Sequence, residues 1–334
     1  MPVQLPPRSS KAAPKNQTRE FKQQLRDKLV KAGANEVLTY SFVHGDLMTK
    51  TGSDPEKWAL HLRNALSPDL QYYRTSLLPS LLAKVHSNLK ADAGNEDNQF
   101  ALFELGKVHV KGHNEEAPED NLPKQMRRLS FVVAADTKTA KKQQGSAYYQ
   151  AKKYVDLITN GQAAYEKLDT NEYPLTSPYQ LGRSAVVKIE GQAIGVIGEI
   201  RSKTKKALKL PDYCAGFELD TDFLMQFVKQ NDYEPLSEYP SSSQDITFEV
   251  DSSTDWAKLE KLLHAELAVA KAESGYNYTL KSKGIYQEEG SSKKRMSFRV
   301  DLNHNHKTLK TEEVNTLLDI ISEAIKEKLH ATRI

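Results

Sequence analysis

Residues 294–302 read KRMSFRVDL. Met296, Phe298, Val300 and Leu302 alternate with Arg295, Ser297, Arg299 and Asp301, a period of two that an extended strand with one buried face satisfies. QDITFEV (244–250) repeats it, with Ile246, Phe248 and Val250 inward and Thr247 and Glu249 outward. DWAKLEKLLHAEL (255–267) carries helical spacing with Thr254 or Asp255 as its cap. TEEVNTLLDIISEAIKEKL (311–329) is a second helix, capped by Thr311, with Glu312 and Glu313 complementing its N-terminus. The stretches at 269–273 and 279–287 read as strands or parts of one bent hairpin, and ATRI (331–334) as a short last strand. The order β-α-β-β-α-β over 236–334 predicts a ferredoxin-like split βαβ unit.

In such a unit both helices cover one face of the sheet and the other stays open. Lys281, Lys283, Lys293, Lys294, Arg295 and Arg299 cluster near that open platform. Single-stranded RNA is read on platforms of this kind by stacking and by base-edge hydrogen bonds, with cations on the phosphates. Acidic residues slightly outnumber basic ones between 237 and 334, so the basic stripe is local. Glu249 reads as a cross-strand partner of Arg299.

Upstream, strand patterns and helices alternate through short turns. A helix is expected over 18–33, capped by Thr18 and ended by Gly33, followed by strands at 36–43, 58–62 and 70–74. Ser67-Pro68-Asp69 marks a turn, and a helix runs from Leu77 to Lys90 with Pro79 in its first turn. Strands follow at 100–110 and 128–136, a helix at 148–160, and a hairpin of 185–189 and 193–200 around Glu190-Gly191-Gln192. A basic helix, SKTKKALKL (202–210), is stopped by Pro211, and a strand at 216–220 and a short helix at 222–228 complete the series. This predicts an α+β domain with a mainly antiparallel sheet over 18–230. Residues 1–17, Pro-rich and without periodicity, read as a linker, which points to a longer polypeptide upstream.

The function classes left open are few. Net charge is +3 over 334 residues, so the chain as a whole is not a basic nucleic-acid binder. No apolar run nears the roughly 18–20 residues that cross a bilayer. The one cysteine, Cys214, excludes a disulfide framework and fits a reducing, cytoplasmic setting. No glycine-rich phosphate loop, zinc-site spacing or nucleophile elbow occurs, so no catalytic residue and no metal ligand is assigned. His304 and His306 lack a third ligand and read as a polar loop. Arg74, Lys107, Arg183 and Arg201 lie near strand ends as cationic candidates.

LSPDLQYYRTSLLPSLL, FALFELGKV, LGRSAVVKIEGQAIGVIGEI and AGFELDTDFL, in that order, resemble the β subunit of bacterial phenylalanyl-tRNA synthetase. YPSSSQDITFEV, GIYQ, KRMSFRVDL, TLKTEEV and the closing Arg333 resemble its C-terminal anticodon-binding domain. The resemblance runs from about residue 18 to the end and covers only the C-terminal part of that long subunit. It implies a class II synthetase-like antiparallel sheet domain without catalysis, followed by a ferredoxin-like βαββαβ domain that reads the anticodon.

It also implies an α2β2 heterotetramer with the catalytic α subunit, tRNA(Phe) as partner, no membrane, and ATP and Mg²⁺ used by the holoenzyme with none bound to this chain. Helices 18–33 and 77–89 are the expected contacts to α. Arg74 and Arg183 are expected at a subunit interface or a vestigial site. Where the catalytic core has an arginine for the nucleotide, Asp220-Thr221-Asp222 stand here, and acid beside a triphosphate repels it. Two departures from the family pattern are Gln244, in place of an arginine, and Leu181, in place of a proline. A free-standing RNA-binding protein built from the same domains is the alternative; an active ligase in its own right is disfavoured by the missing arginine.

Overall fold

A computed structural model describes residues 11, 14–91, 97–114, 122–143, 145–228, 236–288 and 290–334. The chain divides into two compact units, Met1–Asn231 and Asp232–Ile334. The expected linker lies mostly outside the described residues, as does part of the charged stretch GHNEEAPEDNLPKQ (112–125), whose composition reads as a loop.

The first unit runs α1 (Gln17–Lys31), β1 (Asn35–Glu36), β2 (Phe42–Val43), α2 (Gly45–Lys50), α3 (Pro55–Trp58), β3 (Tyr72–Tyr73) and α4 (Leu78–Ala91). It continues with β4 (Gln99–Val108), β5 (Met126–Ala135), α5 (Thr137–Lys142), α6 (Ala147–Ile158), β6 (Ala164–Lys167) and β7 (Tyr179–Ile189). β8 (Gln192–Ile200), α7 (Ser202–Leu208), β9 (Cys214–Asp220) and α8 (Thr221–Phe227) complete it. Seven strands form one sheet in the order β1-β4-β5-β9-β8-β7-β6, antiparallel throughout except for β1 beside β4.

Strand alternation sends side chains to both faces, and helices cover both. Phe131 and Val133 of β5 pack with Phe217 of β9 against Leu25 and Leu29 of α1 and Ala151, Val155 and Ile158 of α6. Val132 and Ala134 turn the other way, toward Leu78, Leu81, Leu82 and Val85 of α4. The stretch 77–89, expected at a contact with another subunit, therefore lays its leucines into its own core. The β7–β8 hairpin turns through Glu190 and Gly191, both at positive φ, as a two-residue turn of that type requires.

Several expectations are corrected. α1 is capped by the Asn16 side chain, which accepts from the Arg19 amide, and not by Thr18. The strand expected over 36–43 survives only at its two ends, because the middle is drawn into side-chain bonding: the Thr39 hydroxyl donates to Glu104 and the Thr39 carbonyl faces the Arg74 guanidinium. The strand expected at 58–62 is reduced to a bridge between His61 and Tyr72, since Asp54 and Pro55 start a helical turn that runs to Trp58. α5 and β6 had no clear signal in the pattern.

The second unit runs β10 (Ser242–Asp251), α9 (Trp256–Ser274), β11 (Tyr276–Tyr286), β12 (Lys293–His304), α10 (Thr311–Leu329) and β13 (Thr332–Arg333). Its sheet order is β11-β12-β10-β13, the ferredoxin-like arrangement. Residues 269–273 are helix, not strand: α9 continues through its alanines and lysines until Gly275, at positive φ, ends it. α10 is capped at Lys310 rather than Thr311, with the Glu313 carboxylate accepting from the Lys310 amide. Ile246, Phe248, Val250, Met296, Phe298, Val300 and Leu302 form the core with Leu259, Leu263, Val314, Leu318 and Ile325 of the helices.

Candidate nucleic-acid interface

With both helices on one side, the second unit leaves one face of its sheet open. β10 presents Ser243, Asp245, Thr247 and Glu249 there, and β12 presents Lys293, Arg295, Ser297, Arg299 and Asp301. The register is set by cross-strand partners: Asp245 lies opposite Arg299, Thr247 opposite Ser297 and Glu249 opposite Arg295. The expected pairing of Glu249 with Arg299 is thus wrong by four residues along each strand. Lys294 is also misplaced by the sequence reading. It lies opposite the buried Val250, on the helix side of the sheet.

The remaining five cations stand on or beside the open face and each has a carboxylate. Arg299 grips Asp245 with two hydrogen bonds, Nε to Oδ1 at 2.8 Å and Nη2 to Oδ2 at 3.0 Å. Lys283 reaches the same carboxylate at 2.6 Å. Lys281 holds Asp301 at 2.8 Å, and Ser243 donates to that carboxylate at 2.6 Å. Lys293 holds Glu249 at 2.9 Å, with Arg295 further off at 3.8 Å. These bonds, Arg299 first and Lys283 next, hold the Asp245 carboxyl well below the usual carboxylate range. Glu249 and Asp301 are lowered too, chiefly by their lysines.

Exposed single pairs such as Lys281–Asp301 contribute little, about 0–1 kcal/mol, so a phosphate can exchange for such a carboxylate at small cost, whereas the bidentate Arg299–Asp245 pair, with Lys283 on the same carboxylate, is held more firmly. A carboxylate released in this way is free to accept hydrogen bonds from amino groups.

Sequence reasoning missed the aromatic group of this face. β11 carries a bulge between Ser282 and Gly284: Ser282 lies opposite Phe298, but Gly284 already lies opposite Ser297. The extra residue, Lys283, shifts the alternation by one. Tyr286 therefore lies opposite Arg295, on the open face, 63% exposed. Counting by twos from Lys281 would have buried it. Gly284 inside a strand pattern was the available signal, because an isolated glycine there marks a bulge. An exposed tyrosine beside cations and carboxylates supplies the stacking surface that bases require.

Arg74 has a different role. It follows β3 and is almost wholly buried, its side chain 5% exposed against 0% for Glu104, with Nη1 2.7 Å from Oε1. Nε donates to the Lys107 carbonyl at 3.1 Å and Nη1 to the Thr39 hydroxyl at 2.9 Å. Gly106 makes room for it: a Cβ there would stand 2.5 Å from Arg74 Nη2. All of its partners lie within its own unit.

Beside it, the N-terminus of α4 is occupied by a buried carboxylate. Glu218 Oε2 accepts from Ser76 Oγ at 2.7 Å, Leu77 N at 2.9 Å and Leu78 N at 3.0 Å. Among the described residues its other oxygen has no hydrogen-bond partner, and burial pushes its carboxyl up against the opposing pull of Arg128 and these donors. A helix N-terminus attracts anions, and here the chain supplies the anion itself. Arg183 is exposed and holds Glu199 at 3.0 Å. Cys214 is buried, its thiol pushed up to about 12 by burial. Among the described residues, no group of three or more His, Cys, Asp or Glu side chains could hold a metal ion, and no helix is long and apolar enough to cross a membrane.

Residues 1–221 match the family Phenylalanyl tRNA synthetase beta chain CLM domain, and residues 237–333 match the Ferredoxin-fold anticodon binding domain. Among curated relatives, the phenylalanine–tRNA ligase beta subunit of Syntrophus aciditrophicus is 27% identical over 264 residues, covering 76% of this chain and 31% of its own length. That of Carboxydothermus hydrogenoformans is 25% identical over 324 residues, 93% of this chain and 38% of its own length. That of Staphylococcus saprophyticus is 29% identical over 308 residues, 89% of this chain and 35% of its own length. The chain thus spans well under half the length of these relatives. A solved prolyl-tRNA synthetase of Giardia lamblia, in complex with prolyl-adenylate, is similar at a TM-score of 0.48 and 9% identity over 64% of this chain and 45% of that one, too distant to carry an argument.

Proposed function

The chain belongs to the phenylalanyl-tRNA synthetase β-chain family, and from that premise we propose that it serves tRNA charging in the cytoplasm without catalysing it. Its first unit assembles with a catalytic α subunit in an α2β2 tetramer that uses ATP and Mg²⁺, and its second unit reads the anticodon of tRNA(Phe). The open sheet face carries this reading: Tyr286 stands on it among five cations, four of them within 3.0 Å of a carboxylate that a phosphate can replace. Lys281, Lys283, Lys293, Arg295 and Arg299 contact phosphate in this reading, and Lys294 does not.

A non-catalytic first unit is supported by Arg74 and Glu218. The arginine is neutralised by Glu104, and the helix N-terminus beside it is filled by Glu218. For assembly with α, the strongest support lies away from α4, on the exposed side chains of Leu38, Tyr40 and Leu66, beside a cavity of about 170 Å³ lined by Tyr40, Phe42, Leu62, Leu66 and Leu70. Arg183, on the exposed surface, is also available to a partner subunit.

The test is tRNA(Phe) binding by the full chain over a salt series. Wild type is compared with Tyr286→Ala and with the triple change Lys293→Ala/Arg295→Ala/Arg299→Ala. Losing a stacked base costs about 1–3 kcal/mol, so Tyr286→Ala should weaken binding roughly 5- to 150-fold with no change in thermal stability. The triple change should also reduce the salt dependence. Binding that survives both variants unaltered removes the open face from the account.

A further inference from the structure

The basic helix of the first unit is not used by the function above. α7 carries Lys203, Lys205 and Lys206 and no acidic residue, and Lys209 follows it in the left-handed conformation. Arg201 precedes it, with Nε on the Thr204 hydroxyl at 3.2 Å and its guanidinium in the space a side chain at position 52 would need. Lys205 is tied to the Asp212 carbonyl at 2.6 Å. Lys203, Lys206 and Lys209 are exposed, and among the described residues none of them has an ion-pair partner.

Asp212, in the turn after the helix, has no ion pair with these lysines among the described residues, and the elements packed on α7 do not neutralise it. It packs on α2 and α4. α4 contributes Lys84 and Lys90 and no acid, while the Asp46 carboxylate of α2 is already held by Lys50 at 2.6 Å. The contrast with the open sheet is direct. There every cation has a carboxylate within 4 Å, so the field cancels locally. On α7 it does not cancel, and an uncancelled patch attracts polyanions.

The helix also lacks what other ligands need. It exposes no large apolar side chain, only Ala207, with Leu208 half-buried, so it has no face to sink into a bilayer. No aromatic or amide side chain lies among its residues to read a base. Lys203 and Lys206, three apart on a helix, stand side by side as point charges. That set fits phosphate contacts, which position a nucleic acid without reading its sequence.

We propose that Lys203, Lys206 and Lys209 of α7 form a sequence-independent contact for the phosphate backbone of RNA, a second attachment point on this chain. That the polyanion is RNA rests on the anticodon reading of the second unit.

The full chain is titrated with tRNA(Phe) and with oligouridine over a salt series, as wild type, as Lys203→Gln/Lys206→Gln/Lys209→Asn, and as Tyr286→Ala. The asparagine at 209 tolerates the left-handed backbone. The α7 variant should bind both RNAs more weakly by a similar factor, with log K against log salt shallower by about 2 for three lost contacts at roughly 0.7 each. Its preference for tRNA(Phe) over oligouridine should match wild type, and its circular dichroism melting curve should not move.

An unchanged salt slope on both RNAs overturns the proposal, as does a wild type that binds neither. Vesicles rich in phosphatidylserine form a further arm: capture by wild type but not by the α7 variant, with RNA binding equal in both, assigns the patch to lipid and also overturns it. If wild type binds oligouridine as well as tRNA(Phe) and Tyr286→Ala changes nothing, the anticodon reading fails, and a loss in the α7 variant still upholds this contact.

Discussion

Arg74 and Glu104 should behave as one unit, and removing either alone should harm the first unit far more than the loss of one contact. The guanidinium and carboxylate meet at 2.7 Å with side chains 5% and 0% exposed. Arg74→Ala leaves Glu104 sealed in the interior with only the Thr39 hydroxyl, at 2.6 Å, to satisfy it. Breaking a buried pair this way costs about 3–5 kcal/mol, because the orphaned charge keeps its desolvation penalty. For a unit of this size each kcal/mol moves the melting temperature by roughly 2–4 °C, so a drop of about 6–20 °C is expected.

Glu104→Ala should do similar damage by stranding Arg74. The double change removes both charges and should cost much less than the sum of the singles, with a coupling of about 2 kcal/mol or more. The chain has two tryptophans, one in each unit. Trp58 sits 5.2 Å from the Tyr173 ring and reports on the first, so its fluorescence in a Trp256→Phe background follows that unit through urea unfolding. Single variants within about 1 kcal/mol of wild type, or a double variant equal to the sum of the singles, would refute the reasoning.

Two further predictions concern pH. The folded-state pKa of Glu218 lies above its value of 4.5 in the unfolded chain, so the folded state binds the proton more tightly and this group's contribution improves as pH falls. Wild type should therefore gain stability relative to Glu218→Gln as pH falls from neutral toward 4.5, read from Trp58 fluorescence in urea; a constant difference rejects the effect. Asp245 has the opposite sign: its folded value lies below 3.8, so its stabilisation is present above that pH and is lost on further acidification. Asp245→Asn should make the acid-induced loss of the second unit shallower below about pH 4, read from Trp256, which lies 4.3 Å from the Phe298 ring; a fall parallel to wild type counts against it.

What the sequence reveals and conceals divides along one physical line. From Arg295 to Leu302 the strand reads correctly because alternation is local: each residue's face follows from its neighbours, and Lys294 is misplaced only by being grouped with the basic cluster instead of with Met296. The strand expected over 36–43 fails because its middle answers to Glu104 and Arg74, distant in the chain. The lysines of the open face are visible as residues, but their carboxylate partners depend on the β10–β12 register, which places Asp245 opposite Arg299 across a separation no local pattern encodes. The acids inside FALFELGKV and GFELD were a usable hint. A glutamate within an apolar strand must find a buried donor, and Glu104 and Glu218 do so at Arg74 and at the start of α4.

The bulge at Lys283 makes β11 a strand with two reading frames. Up to Ser282 one frame decides which side chains meet water, and from Gly284 onward the other does. Deleting Lys283 would remove the bulge and leave Gly284, Ile285 and Tyr286 opposite Ser297, Met296 and Arg295 as before. Straightening the strand with Lys283 retained does the opposite: Lys283 would pair with Ser297, Tyr286 would turn toward the helices and Ile285 would take its place on the outer surface. The bulge therefore absorbs a one-residue difference in length, and the faces downstream are set by the pairing with β12 and not by a count along the chain.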